Sequence, residues 1–355
     1  MRLRRINCTC VPVKRPTIDT LVYDLAQPIA YRANSQMTSR LDPQAQDLLD
    51  VIGAAGLAPI HTLSVTDARE RMRATLISAA EPLALTGVQD VSLATPSGAL
   101  RLRLYRPHDG VLPVALFLHG GGWTLNDIDT HDDLCRRLAK RSGWLLASLD
   151  YRRAPEHKHP AVLQDAYQAY RWLLDNAGPI GCDPTCRAVV GESSGGTIAA
   201  SLTLLLRDGG APMPSYQVIA YPLMDALDIR PSRSERGRGY ILDSDQVRWF
   251  LDNYLPVDCD PADPYLFPLA SRDLSGLPPA LVMTAEFDPL RDEGVEYAEK
   301  LAQAGVTVEH LHADDQMHGF LMLSRAVARA GQLVDHVADA LASHRAGSAS
   351  AGQLL

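Results

Sequence analysis

Residues 187–202 read RAVVGESSGGTIAASL, and few folds accommodate them. Arg187–Val190 has the apolar run of a short buried strand, and Thr197–Leu202 the apolar opening of a helix. The turn joining them is short and rich in glycine. A serine at the apex of such a turn needs a small residue two positions before it and two after, because any side chain there collides with neighbouring backbone. Ser193 has Gly191 and Gly195 at those places, whereas Ser194 has Glu192 and Gly196 and fails on one side. The segment is read as a strand–turn–helix presenting the Ser193 hydroxyl. The competing reading is a glycine-rich turn whose serines bond only local backbone.

The remaining chain repeats this alternation. Asp90–Ala94 and Leu100–Tyr105 flank Pro96-Ser97-Gly98 as a hairpin. Strands are expected at Val114–Leu118, Trp144–Leu149, Gln217–Tyr221, Ala280–Thr284 and Val306–Leu311. Helices are expected at His131–Arg141, Pro160–Asn176, Ile198–Arg207 and Glu293–Ala304, with a long last one over Leu321–Ala342. Strand and helix in alternation imply an α/β fold whose mostly parallel sheet is covered on both faces. In such sheets reactive groups collect at the carboxyl ends of the strands.

Two stretches break the rhythm. Residues 37–87 carry helical spacing, with Thr66 the expected N-cap of a second helix, and residues 223–268 form a long insertion rich in charge, Asp and Pro. Together they suggest a helical cap over a core of residues 88–222 and 269–345. Residues 1–36 read as a basic, flexible extension and 346–355 as a flexible tail.

A formal charge of −8 over 355 residues argues against nucleic acid or an anionic membrane surface as partner. No apolar run approaches the roughly 18 residues of a membrane span. The basic start MRLRRINCTC is followed by no continuous apolar region of a secretory signal, so the protein is expected in the cytoplasm. Six cysteines fit free thiols, among them Cys135 in a helix, Cys182 and Cys186 flanking a loop, and Cys8 and Cys10 in the extension. They lack the complement of a zinc site, and no metal is expected.

A serine hydroxyl needs a base, and the base needs an orienting partner; on this architecture the chain order is Ser, then Asp or Glu, then His. Of 11 histidines, His318 follows the Val306–Leu311 strand within a few residues and precedes the last helix. His157 and His159 come before Ser193, the wrong order. Asp288 ends the preceding strand beside Pro289, with Glu286 the competing acid. Acyl transfer also needs donors for the oxyanion, and Phe117-Leu118-His119-Gly120-Gly121-Gly122-Trp123 sets three glycines directly after a strand.

FLHGGGW, DYRRAPEHKHPAVLQDA, GESSGG, AEFDPLRDEG and MHGF together resemble the hormone-sensitive-lipase family of α/β-hydrolase carboxylesterases, from about residue 40 to 345. The resemblance implies an eight-stranded, mostly parallel sheet flanked by helices, with a helical cap. It implies Ser193 as nucleophile, His318 as base and Asp288 as its orienter, with the N–H groups of Gly121, Gly122 and Ser194 as oxyanion hole. No cofactor is implied, and a homodimer is plausible. The family motif is G-D-S-A-G-G, so Glu192 stands for Asp and Ser194 for Ala; Asn126 stands where a further glycine is common. Substrate-contact candidates are Trp123, Glu192, Met224, Trp249 and Phe250, with Tyr240 and Leu251 as further cap residues. The expected activity is hydrolysis of short- to medium-chain acyl esters. The same triad also suits an amidase or deacetylase. A non-catalytic small-molecule receptor on this scaffold is disfavoured by His318 in its expected context.

Overall fold

Leu112–Leu118, LPVALFL, is buried along its whole length as strand β3. That is the behaviour of a central strand covered on both faces. Its alternate residues divide between two cores. Val114, Leu116 and Leu118 join Val162 and Leu163 on one side, and Ala115 and Phe117 join Leu134 and Leu138 on the other. The computed structural model describes residues 40–77, 80–225 and 229–352. The basic extension expected over 1–36, with Cys8 and Cys10, lies outside them.

Eight strands form one sheet in the order β1-β2-β4-β3-β5-β6-β7-β8. They are β1 Gly87–Thr95, β2 Gly98–Arg106, β3, β4 Leu145–Asp150, β5 Cys182–Glu192, β6 Tyr216–Ala220, β7 Ala280–Phe287 and β8 Val308–Met317. β2 runs antiparallel to both its neighbours, and every other pairing is parallel. The β1–β2 hairpin closes on Pro96-Ser97, with Thr95 opposite Gly98. Seven crossovers or turns therefore deliver β3, β5, β7 and β8 with their carboxyl ends on one edge of the sheet.

Helices α1 Pro43–Ala54, α2 Val65–Leu76, α3 Asp132–Ser142, α4 Ala161–Asp175, α5 Ser194–Asp208, α6 Pro231–Glu235, α7 Ser244–Tyr254, α8 Arg291–Gln303 and α9 Ala328–Gly352 complete the chain. α4 and α5 cover one face; α3 and α9 cover the other, where the Trp144 indole N–H donates to the Leu341 carbonyl at 2.9 Å. α8, through Tyr297 and Leu301, shares a third apolar cluster with Ala200 and Leu204 of α5.

Several expectations need correction. α2 is capped by Ser64, whose hydroxyl accepts from the Asp67 N–H at 3.1 Å, not by Thr66. β5 begins at Cys182, so Cys182 and Cys186 lie buried in a strand with a register shift against β3 and not beside a loop. A 3-10 turn occupies Phe320–Leu323, so the last helix starts at Ala328, and it runs to Gly352 through residues expected as a tail.

Candidate active site

Four strands end one residue before a chemically important group. β3 ends at Leu118 before His119-Gly120-Gly121-Gly122, β5 at Glu192 before Ser193, β7 at Phe287 before Asp288, and β8 at Met317 before His318. Ser193 sits at φ 54°, ψ −127°, a conformation L side chains rarely adopt. The glycines around it explain how the strain is accommodated. A Cβ on Gly191 would overlap the Gly195 carbonyl, and a Cβ on Gly195 would overlap the Leu118 carbonyl of β3. The Ser193 N–H is held by the Ala220 carbonyl of β6 at 2.8 Å.

The side chains meet in one line. His318 Nε2 lies 2.9 Å from Ser193 Oγ, and His318 Nδ1 lies 2.8 Å from Asp288 Oδ2. Asp288 is fully buried, and its other oxygen accepts the Leu290 N–H at 2.8 Å, which fixes the carboxylate plane. Tyr221 packs edge-on against the His318 ring, centroids 5.0 Å apart. Glu286, the competing acid, is engaged elsewhere: it accepts from Arg236 at 2.6 Å and Arg291 at 2.9 Å, with His312 at 3.3 Å.

The glycine loop after β3 is held from the nucleophile side. The Glu192 carboxylate accepts the Gly120 N–H and lies 3.0 Å from His131 Nε2, all buried. Burial works against its charge, yet His131, His318 and the Gly120 N–H together hold its carboxyl below the usual range. His119 is kept neutral by burial and by neighbouring His131, which depress its pKa well below the ordinary imidazole value. Gly121 and Gly122 adopt φ 111° and 58°, and among the described residues their N–H groups donate to no backbone carbonyl. Ser194 opens α5, so its N–H has no acceptor within the helix. Its hydroxyl accepts the Trp123 N–H at 3.1 Å.

The family model described as the alpha/beta hydrolase fold matches residues 115–322. Carboxylic ester hydrolase LipN of Mycobacterium tuberculosis is 39% identical over 314 residues, 86% of this chain and 83% of that protein. The chain belongs to the hormone-sensitive-lipase family of α/β-hydrolase carboxylesterases. This hydrolase is also 37% identical to ethyl acetate hydrolase of Pseudomonas putida, over 86% of its own length and 99% of the relative. Among solved structures, the ester-hydrolase EH1AB1 from the metagenome of Lake Arreo superposes with a TM-score of 0.83 at 37% identity, covering 86% of the hydrolase and 99% of that chain.

The tentative substrate-contact residues divide. Phe250 of α7 lies against the glycine loop, because a Cβ on Gly122 would run into its ring, and Trp249 tilts beside it at 5.3 Å. Trp123 is buried at φ 56° and stacks on Tyr254 at 4.2 Å, so it supports the loop from within the core. Met224 is fully buried, and its N–H donates to Glu293 Oε2 at 2.6 Å. Glu192 is occupied by Gly120 and His131. Tyr240 packs on Phe287.

Sequence reasoning missed the polar residues that tie the 223–268 insertion to the rest of the fold. Arg233 of α6 donates to Glu293 of α8 at 2.7 Å, both buried. Lys158 donates to the carbonyls of Asp252, Asn253 and Leu255 at 2.7–2.9 Å, closing the carboxyl end of α7. The only signal for these contacts was the high charge of residues 223–268.

Proposed function

We propose that this hydrolase is a serine esterase acting on short- to medium-chain acyl esters, with Ser193 as nucleophile, His318 as base and Asp288 as orienter. The observation that carries the reading is the unbroken Ser193–His318–Asp288 line at 2.9 and 2.8 Å, on a strained turn at the carboxyl edge of the sheet. His318 takes the Ser193 proton as Oγ attacks the ester carbonyl. Asp288 keeps Nδ1 protonated and supports the imidazolium. The carbonyl oxygen becomes an oxyanion held by the N–H groups of Gly121, Gly122 and Ser194, and collapse expels the alcohol, protonated by His318. Water then repeats the attack on the acyl-enzyme, releasing the acid and restoring Ser193.

The preference for small acyl groups is supported by Phe250 against Gly122 and by the similarity to ethyl acetate hydrolase. In this proposal residues 37–87 and 223–268 form the cap over a core of 88–222 and 269–345. Free thiols at Cys135, Cys182, Cys186 and Cys259 support a cytoplasmic location. Among the described residues no helix is long and apolar enough to cross a membrane. A homodimer is proposed on the family resemblance alone.

Hydrolysis of p-nitrophenyl esters from acetate to palmitate tests the reading. Wild type is expected to turn over the short esters, and Ser193→Ala to lower kcat by on the order of 10⁴-fold or more while remaining folded. Folded wild type without turnover at any chain length, or Ser193→Ala with wild-type rates, overturns it.

A further inference from the structure

The oxyanion glycines are followed by Trp123–Asp129, a segment lacking regular structure, and something must keep it in place. On its inner side, Glu192 and Ser194 grip the N–H groups of Gly120 and Trp123. On its outer side the grip comes from α2, which precedes the sheet in the chain. Arg69 Nε donates to the Thr124 carbonyl at 2.9 Å, and Arg69 Nη2 to the Ala154 carbonyl at 2.8 Å. The Ala154 N–H in turn donates to the Trp123 carbonyl at 2.9 Å. The same guanidinium is squared off by Glu156, whose two oxygens accept at 2.7 Å each. This pairing with Arg69 draws the Glu156 carboxyl down to about 2. One helical turn on, Arg73 binds Asp127 and lies 3.2 Å from Asp129.

We propose that Arg69 is a positioning residue for catalysis: its guanidinium, presented by α2, sets the oxyanion loop by holding the carbonyls of Thr124 and Ala154. The inference rests on the esterase reading above. The guanidinium fork suits this work because it fixes three acceptors in one plane, whereas an ammonium is a point donor. Bonding carbonyls on the outer side of the loop leaves the opposite N–H groups free for an oxyanion. A loop released from Arg69 still binds ester but presents its donors less well, and misplacement by about 1 Å can cost on the order of 10²-fold in rate. The loss therefore falls on kcat and on binding of oxyanion mimics, with KM little changed.

The test is steady-state hydrolysis of p-nitrophenyl butyrate by full-length Arg69→Met, Arg69→Lys and Arg101→Met, with inhibition by an alkyl trifluoromethyl ketone and thermal unfolding measured alongside. Arg101 lines the same cleft but donates its hydrogen bonds to Asp150 and Asp90 and none to Trp123–Asp129, so it serves as the control for loss of a neighbouring arginine. Arg69→Met is expected to lower kcat by about 5- to 50-fold with KM within about twofold, and to weaken the ketone by a matching factor. Arg69→Lys is expected to fall between it and wild type, and Arg101→Met to keep the wild-type kcat. A folded Arg69→Met with wild-type kcat, or with reduced kcat but undiminished ketone affinity, overturns the proposal. Should Arg69→Met not fold, Arg69→Lys with wild-type kcat and ketone affinity overturns it. Loss of turnover in Ser193→Ala beside an unaffected Arg69→Met sinks this inference while leaving the esterase reading intact.

Discussion

Two adjacent serines at the nucleophile turn do different work, and the difference is geometric. Ser193 occupies the strained apex with its Oγ toward His318, while Ser194 is already the first residue of a helix and turns its hydroxyl to the Trp123 N–H. Replacing Ser194 by Ala keeps the amide that faces the oxyanion in the proposed mechanism and removes the acceptor for the buried Trp123 N–H and a partner of the Tyr151 hydroxyl. Ser194→Ala is expected to destabilise the protein by about 1–3 kcal/mol and to lower kcat by less than about tenfold. Urea unfolding and ester hydrolysis on the same preparation check both. A drop as deep as that of Ser193→Ala would assign the hydroxyl a direct part in the chemistry. Spacing around the glycines singled out Ser193 because Gly191 and Gly195 touch backbone on both sides of the turn. Asn126 at φ 61° shows a milder version, as asparagine tolerates the left-handed region better than most side chains.

Among the elements, α6 is seated by charged contacts, whereas α7 also lays an apolar face, Val247, Phe250 and Tyr254, into the core. Glu293 sits in the first turn of α8, where its carboxylate accepts the N–H groups of Met224 and Asp225 at 2.6 and 2.7 Å and the Arg233 guanidinium at 2.7 Å. Neighbouring Asp292 accepts the Ser232 N–H at 2.8 Å, so two acids of one helical turn receive the start of the insertion. Burial pushes the Glu293 carboxyl up to about 7 against the charges of Arg233 and Arg230, and removing Arg233 leaves Arg230 as its remaining counter-charge. Arg233→Met is expected to cost about 3–5 kcal/mol, and the double variant Arg233→Met/Glu293→Gln to recover much of that loss, both read from urea midpoints. A single variant as stable as wild type would show that the pair contributes nothing net. The helical pattern of α7 was visible as Gln246–Leu251, but its anchoring by Lys158 was not, because that lysine lies some 90 residues away in the chain.

For the whole molecule, acid stability reflects how these clamps join the insertion to the sheet. Burial pushes the Glu286 carboxyl up, but bonds from His312 and Arg236 and the charges of Arg291 and Arg236 outweigh it and hold the group at about 2. A carboxyl held below its unfolded value stabilises the fold fully above about pH 4.5 and loses that contribution as pH falls toward 2, an amount of about 3 kcal/mol at most. Wild type is therefore expected to lose more stability than Glu286→Gln between pH 5 and 3, the two curves converging in acid. Parallel urea midpoints for the two proteins across that range would contradict it. The strand–helix alternation, the glycine loop and the strand ends that carry Ser193, Asp288 and His318 were legible in the chain because each is a local pattern. A strand end marked by Gly, Asp-Pro or His-Gly puts the next residue on the reactive edge, whatever the order of strands. The competition between Asp288 and Glu286 was decided only in three dimensions, where Arg236 and Arg291 engage Glu286 and leave Asp288 to His318. So was the reach of Arg69 across 55 residues to Thr124. Periodicity and turn sterics act between neighbours and are written in order along the chain, whereas ion pairs between distant segments depend on where the sheet sets them down.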